Sequence, residues 1–439
     1  MALSLTATAL VYISDTPTMT MQVAGIICVW VALLIPAIFS ANSGNEKQAY
    51  GRGLKSSLII ITATAAFTLF PLLRSSNYPS MEDQITTIAY SMAVFMTAGL
   101  YLFHIARCGY RYLILGYAVA TFIGPTVYIA IALRTGGFDA LVARGTRLTA
   151  DAMHPNLFGF CCVGFASISI MIFCVIKAWW RWLYILPALL SVFAILMASS
   201  RGSLVAIIIG GGCMFLINLY HDLIILRRGF GIIYVILFSL VIGIIVMLLF
   251  FPRISDNSAV KFISDKLELF SRYRGLDTGL TGRMDIWRQV FARYGVEDFI
   301  SGIGPRKSGA GIGNIDNGYL VIFLEYGLIA GGAIILRLCY SLFYYLSICL
   351  TTKRRLEYTI SVCLSFVAIV YLTNNIVARY LFGIGSSFSL FGILLFSTGP
   401  SMLHGIIREI ADTVEKPLLQ NRPPFGHRRH ISTVGNTGI

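Results

Sequence analysis

Arg201, Arg283 and Asp316 are the residues best suited to chemistry in this chain. Two guanidiniums and a carboxylate at the edge of apolar segments could bind an anion and take a proton from a hydroxyl. Arginine's planar fork suits bidentate contact with phosphate, and it keeps its charge on partial burial. A carboxylate beside such a site could act as a general base. Asp316 precedes Asn317, Gly318, Tyr319 and Leu320, with Glu325 following. Aspartate at a helix start also reads as a cap, and the two roles are compatible. Arg283 opens a helix-like stretch to Tyr294, with Thr281 before it as a candidate cap and Asp285 in its first turn. Trp287, four residues on, shares the face of Arg283. The stretch also reads as a surface helix with a solvated arginine. Arg201 lies in Ser199-Ser200-Arg201-Gly202-Ser203. It faces either an anion site or headgroups to which it snorkels.

The elements that must position these residues are membrane spans. Mean hydropathy is +0.78, 57% of residues are hydrophobic and only 12% are charged, which no water-facing surface of 439 residues would tolerate. The class is an all-α polytopic membrane protein, since a β-barrel would show short alternating segments. Apolar runs near 20–40, 56–73, 85–103, 112–133, 155–176, 182–199, 203–220, 229–251, 317–349, 357–378 and 381–403 predict about eleven spans, within a range of 10–12. The run 317–349 is over-long, and Gly331-Gly332 marks a candidate break. The expected organisation is an N-terminal bundle over 1–250, a polar loop over 251–316, C-terminal spans over 317–405 and a tail over 406–439. The tail, with Pro417, Pro423 and Pro424, reads as disordered and cytoplasmic. The N-terminus shows no basic region or cleavage site of a removable signal peptide.

Charge fixes the expected orientation. With 251–316 outside, the inside connections carry Lys47, Arg52, Lys55, Arg107, Arg111, Lys177, Arg181, Arg227, Arg228, Lys353, Arg354 and Arg355, as the positive-inside rule requires. The outside basic residues are then unexpected: Arg74, Arg134, Arg144, Arg147, Arg201, Arg379 and the set from Arg253 to Lys307. Arginine outnumbers lysine thirteen to three among them. Long exported segments escape the charge rule, which accounts for the loop but less well for Arg201 and Arg379 in short turns. The formal charge of +14 is split between two faces, which argues against nucleic acid as a partner. Nine cysteines lie in or near apolar runs and read as buried hydrophobes, with no disulfide framework and no metal-ligand spacing. No cofactor is expected. His154-Pro155-Asn156 reads as the end of an outer loop and the start of a span.

Ser200-Arg201-Gly202, the Arg283 to Trp287 helix, Gly302-Ile303-Gly304 and Asp316-Asn317-Gly318-Tyr319-Leu320 followed by Glu325-Tyr326-Gly327 resemble, in order and spacing, the O-antigen ligase and Wzy-type polysaccharide polymerase superfamily. The resemblance runs from about 182 to 340. It implies a GT-C-like membrane glycosyltransferase with one large periplasmic loop in the bacterial inner membrane. Such an enzyme takes a glycan from undecaprenyl diphosphate and passes it to an acceptor hydroxyl, without metal or nucleotide sugar. Arg201 and Arg283 would stabilise the departing diphosphate, and Asp316 would serve the acceptor. Arg306, Arg379, Asn317, Tyr319, Trp287, His154 and Arg147 are the substrate-binding candidates. Ligases of this family usually carry His-Asn where this chain has Asp316-Asn317. That departure favours a polymerase of exopolysaccharide, capsule or O-antigen, with a second lipid-linked repeat unit as acceptor glycan. A chain-length regulator is a further expected partner. The alternatives are a ligase acting on lipid A-core and a transporter of lipid-linked glycan. In a transporter, ionisable groups would line a path through the bundle.

Overall fold

The computed structural model describes residues 47–68, 81–136, 155–175, 179–226, 283–304, 315–382 and 387–408, with isolated positions between 27 and 38 and at 265. These residues form helices joined by turns. The helices are α1 (Lys47–Thr68), α2 (Met81–Cys108), α3 (Arg111–Gly136), α4 (Pro155–Val175), α5 (Ile185–Met197) and α6 (Arg201–Tyr220). Two short polar helices follow, α7 (Arg283–Arg293) and α8 (Val296–Ser301). Then come α9 (Gly318–Thr351), α10 (Arg355–Asn374), α11 (Ser387–Thr398) and α12 (Ser401–Arg408).

Among the described residues, seven helices are long and apolar enough to cross a membrane, or eight if α11 and α12, bent by 96°, form one broken span. The chain is a multi-pass helical membrane protein. Of the eleven expected runs, 85–103, 112–133, 155–176, 182–199, 203–220, 317–349 and 357–378 coincide with these spans. The run at 56–73 appears as a shorter apolar helix over Lys55–Thr68. The run at 229–251 lies outside the described residues, and that at 20–40 is described only at scattered positions.

Helices α4 and α10 form the centre, packing on each other and on their neighbours α3, α5, α6 and α9. Their apolar windows are 78% and 67% buried, against 22% for α6. Large aromatic side chains fill the space between them. Phe160 of α4 meets Tyr371 of α10 and Phe388 of α11 with ring centroids 6.0 and 5.1 Å apart. Tilted ring pairs of this kind add about 0.5–1.5 kcal/mol each beyond area burial.

Helix α9 is broken at Gly327, which has φ 78° and ψ 173°. The break does not fall at Gly331-Gly332, which stay helical. Its cause lies elsewhere in the chain. The segment after α8 runs alongside, and the amides of Ile303 and Gly304 donate to the carbonyls of Leu324 and Glu325 at 2.8 and 3.1 Å. Two strand-like hydrogen bonds from outside thus replace helical ones at the break.

Arg337 lies well inside α9. Its Nε donates to the Phe396 carbonyl at 3.3 Å, its Nη2 to Ser57 Oγ at 2.9 Å, and its guanidinium rests against Gly399. Tyr345 donates to the Gly399 carbonyl at 2.8 Å. These donors serve carbonyls left open where α11 ends within the apolar region, where water does not. Arg337→Met is therefore expected to cost about 1–3 kcal/mol. The check is the thermal unfolding midpoint in detergent, which should fall, whereas replacing exposed Tyr340 one turn on should leave it in place.

Candidate functional site

The Arg283 to Trp287 helix lies against the start of α9 because its inner face is apolar. Val290, Ile303, Ile315, Val321 and Leu324 form a small buried cluster, with Ile286 and Trp287 packed on it. Met284, Asp285 and Arg288 point outward. Seating α7 in this way brings Arg283, at its first position, to the mouth of α9.

There Arg283 Nη2 lies 3.5 Å from Asp316 Oδ2, with the two side chains 18% and 20% exposed. The Asn156 amide at the start of α4 donates to the same Asp316 oxygen at 3.0 Å. Asp316 does not cap α9, contrary to one expectation from the sequence. Asn317 does, its Oδ1 accepting the amides of Tyr319 and Leu320 at 3.1 and 3.0 Å. Asp316 is turned instead towards α7 and α4, so the carboxylate is left for chemistry.

The other elements at this end meet the same place. The Gly318 amide donates to the Asn375 carbonyl at 2.8 Å, tying the start of α9 to the end of α10. Gly202, next to Arg201, packs against Val377 and Asn374. Gly159 of α4 lies so close to Ser200 and Ser203 that a Cβ would overlap them. Ser200 and Ser203 are hydrogen-bonded at 2.9 Å, and the Asn374 amide reaches Ser203 Oγ at 3.4 Å. Arg201 thus opens α6 beside the start of α4 and the turn that carries Arg379. Ser199, just before, has φ 54°, left-handed backbone for a side chain that rarely adopts it. Strain of this kind costs about 1–3 kcal/mol and gathers where a turn must present particular groups.

On α7, two buried donors have no acceptor among the described residues: Arg283 Nε and Trp287 Nε1. Both are buried and lie one helical turn apart. An unmet buried donor costs about 1–3 kcal/mol, so each is suited to a ligand oxygen. The Trp287 ring itself packs on the apolar cluster. Tyr319 is committed to the fold, its hydroxyl donating to the Leu372 carbonyl at 2.9 Å. His154, Arg147, Arg306 and the cap candidate Thr281 lie outside the described residues.

Tyr380, which belongs to no motif in the sequence, sits in the turn after α10. Its amide donates to Asn375 Oδ1 at 3.1 Å. Burial pushes its phenol well above the ordinary tyrosine value, Arg379 opposes this, and the negative charge of Asp316 adds to it. The hydroxyl stays protonated and can donate. Asn156 was also missed, because a contact across 160 residues leaves no local pattern.

Residues 186–335 match the O-antigen ligase family model, Wzy_C. The matched segment runs from α5 into α9. It contains Arg201, Arg283 and Asp316 together, and the resemblance read from the motifs is thereby met by an independent match. No curated protein matches the chain. The match covers about a third of the chain, and with the apolar helices it makes the protein similar, over that segment, to membrane proteins of the O-antigen ligase family.

Proposed function

We propose that the protein is a polymerase of a surface polysaccharide, joining lipid-linked glycans at the outer face of the bacterial inner membrane. The donor is a growing glycan on undecaprenyl diphosphate, and the acceptor is a hydroxyl of the terminal sugar on a second lipid-linked repeat unit. The observation that supports this most is the Arg283–Asp316 pair, held where α7, α4 and the mouth of α9 meet.

At 3.5 Å the pair is longer than the roughly 2.7–2.9 Å of a tight charge-assisted contact. A diphosphate with several anionic oxygens can therefore compete for Arg283. In the proposed reaction Arg283 and Arg201 hold the diphosphate, and Arg379 lies nearby. Asp316 takes the proton from the acceptor hydroxyl as its oxygen bonds to the anomeric carbon. The bond from that carbon to the phosphate oxygen breaks, and the diphosphate leaves with the electron pair. Arginines stabilise the charge developing on it. Trp287 Nε1 donates to a sugar or phosphate oxygen.

The family description favours one second reading, a ligase that transfers the glycan to lipid A-core. Transport is less well supported. Arg337, the arginine well inside α9, is engaged with the Phe396 carbonyl and Ser57.

The test is complementation of a strain lacking this gene with wild type, Arg283→Ala and Asp316→Ala, followed by gel separation of lipid-linked and surface glycan. Single-repeat products in the deletion, lengthened by wild type but not by well-expressed variants, are the expected result. Full-length polymer accumulating on the lipid carrier would mean a ligase. Unchanged polymer in every strain would remove both enzyme readings.

A further inference from the structure

We infer that Asn156 is a positioning residue for the transfer reaction, holding the Asp316 carboxylate in place while Arg283 turns to the diphosphate. The inference rests on the transferase reading above. It begins from the two described contacts on Asp316, both of which fall on Oδ2: Arg283 at 3.5 Å and Asn156 at 3.0 Å. One donor is charged, the other neutral. A diphosphate draws the charged donor strongly and the neutral one weakly. Once Arg283 moves to the donor substrate, a carboxylate held by it alone would be free to rotate away from the acceptor. The amide of Asn156 comes from a different helix, α4, which is buried at the centre of the bundle and carries none of the arginines assigned to the diphosphate.

The position of the amide is fixed by the fold. Asn156 follows Pro155 in the first turn of α4. Gly159, one turn on, packs directly on Ser200 and Ser203 ahead of and within α6, which prevents α4 from sliding along its axis without a clash. With Oδ2 occupied by Asn156, Oδ1 is the oxygen presented to the acceptor hydroxyl. The proton passes from that hydroxyl to Oδ1, and the carboxyl returns it to solvent after the product leaves. The groups at Asp316 are Arg283 from α7, Asn156 from α4 and Tyr380 from the turn after α10, and Arg379 acts on Tyr380 from the same turn.

The experiment uses the full-length protein in nanodiscs, with a polyprenyl-diphosphate-linked repeat unit as both donor and acceptor. It compares wild type, Asn156→Ala, Asn156→Asp and Asp316→Asn. Asn156→Ala is expected to lower kcat about 10- to 100-fold with little change in KM for the lipid-linked substrate. Asn156→Asp, which replaces the amide donor by a second carboxylate, should lower kcat at least as far, again with KM little changed. A merely structural role would lower the unfolding midpoint and raise KM along with the loss of kcat, and that outcome overturns the inference, as does an unchanged kcat in Asn156→Ala. Failure of the transferase reading looks different: wild type elongates nothing, or Asp316→Asn retains full activity.

Discussion

Arg283→Ala is expected to lower glycan transfer by about a thousandfold while leaving the protein folded. Removing a single donor that stabilises a developing anion typically costs about 10²–10³ in rate. Arg283 is also the group that meets Asp316, so its loss affects both partners of the reaction. The fold should survive, because α7 is seated by Val290 and Ile286 with Trp287, none of which depends on the guanidinium. Arg283→Lys should recover part of the rate, since a lysine keeps the charge but not the fork. Asp316→Asn is expected to stop transfer to a similar degree but with the opposite effect on the anion. With the competing carboxylate neutralised, Arg283 should bind inorganic pyrophosphate at least as tightly as in wild type. Initial rates with a lipid-linked repeat unit, and pyrophosphate titration by calorimetry, measure the two effects. Weaker pyrophosphate binding by Asp316→Asn, or near-normal transfer by Arg283→Ala, would contradict the exchange.

The second large effect is structural. Gly327→Ala and Gly302→Ala should each cost about 3 kcal/mol or more. Both glycines have φ near +80°, with ψ values of 173° and 153° that only glycine adopts readily. A Cβ on Gly327 would lie 2.7 Å from the Ile300 carbonyl oxygen, and one on Gly302 would lie 2.8 Å from the Gly327 amide nitrogen. Backbone strain of about 1–3 kcal/mol and an unrelieved backbone clash add together. Gly332→Ala is the contrasting case. It is helical with open space around it, so alanine should stabilise by about 0.5–1 kcal/mol. Thermal unfolding of the three variants in one detergent checks the order. Activity should follow stability for the first two, because the Gly302 segment anchors the region that carries α7.

Much of this arrangement was legible in the sequence where the signal is local. Apolar length gave the spans, and Arg283 and Trp287 four residues apart gave a common helical face. The order of motifs from Ser200 to Gly327 gave a resemblance that the match over 186–335 bears out. The break in α9 was misplaced because a glycine pair looks more breakable than a single glycine. Helical glycine is tolerated, and what opens the helix at Gly327 is a backbone arriving from Gly302-Ile303-Gly304. The cap was ambiguous because Asp316 and Asn317 are adjacent and equally suited to it. The choice was made by groups far along the chain, Arg283 and Asn156, which engage the aspartate. Tyr380 carried no motif, and its proximity to Asp316 exists only once α10 has turned back over the start of α9.

The division of labour between Asp316 and Asn317 also bears on how such a protein can change. Asn317 caps α9, so the start of that helix does not depend on the side chain at 316. A histidine there, as ligases of the family usually carry, would alter the acid–base character of the site without disturbing the helix behind it. Under the proposed reaction, a single substitution at position 316 would therefore exchange one acid–base group for another while the cap at Asn317 stays in place.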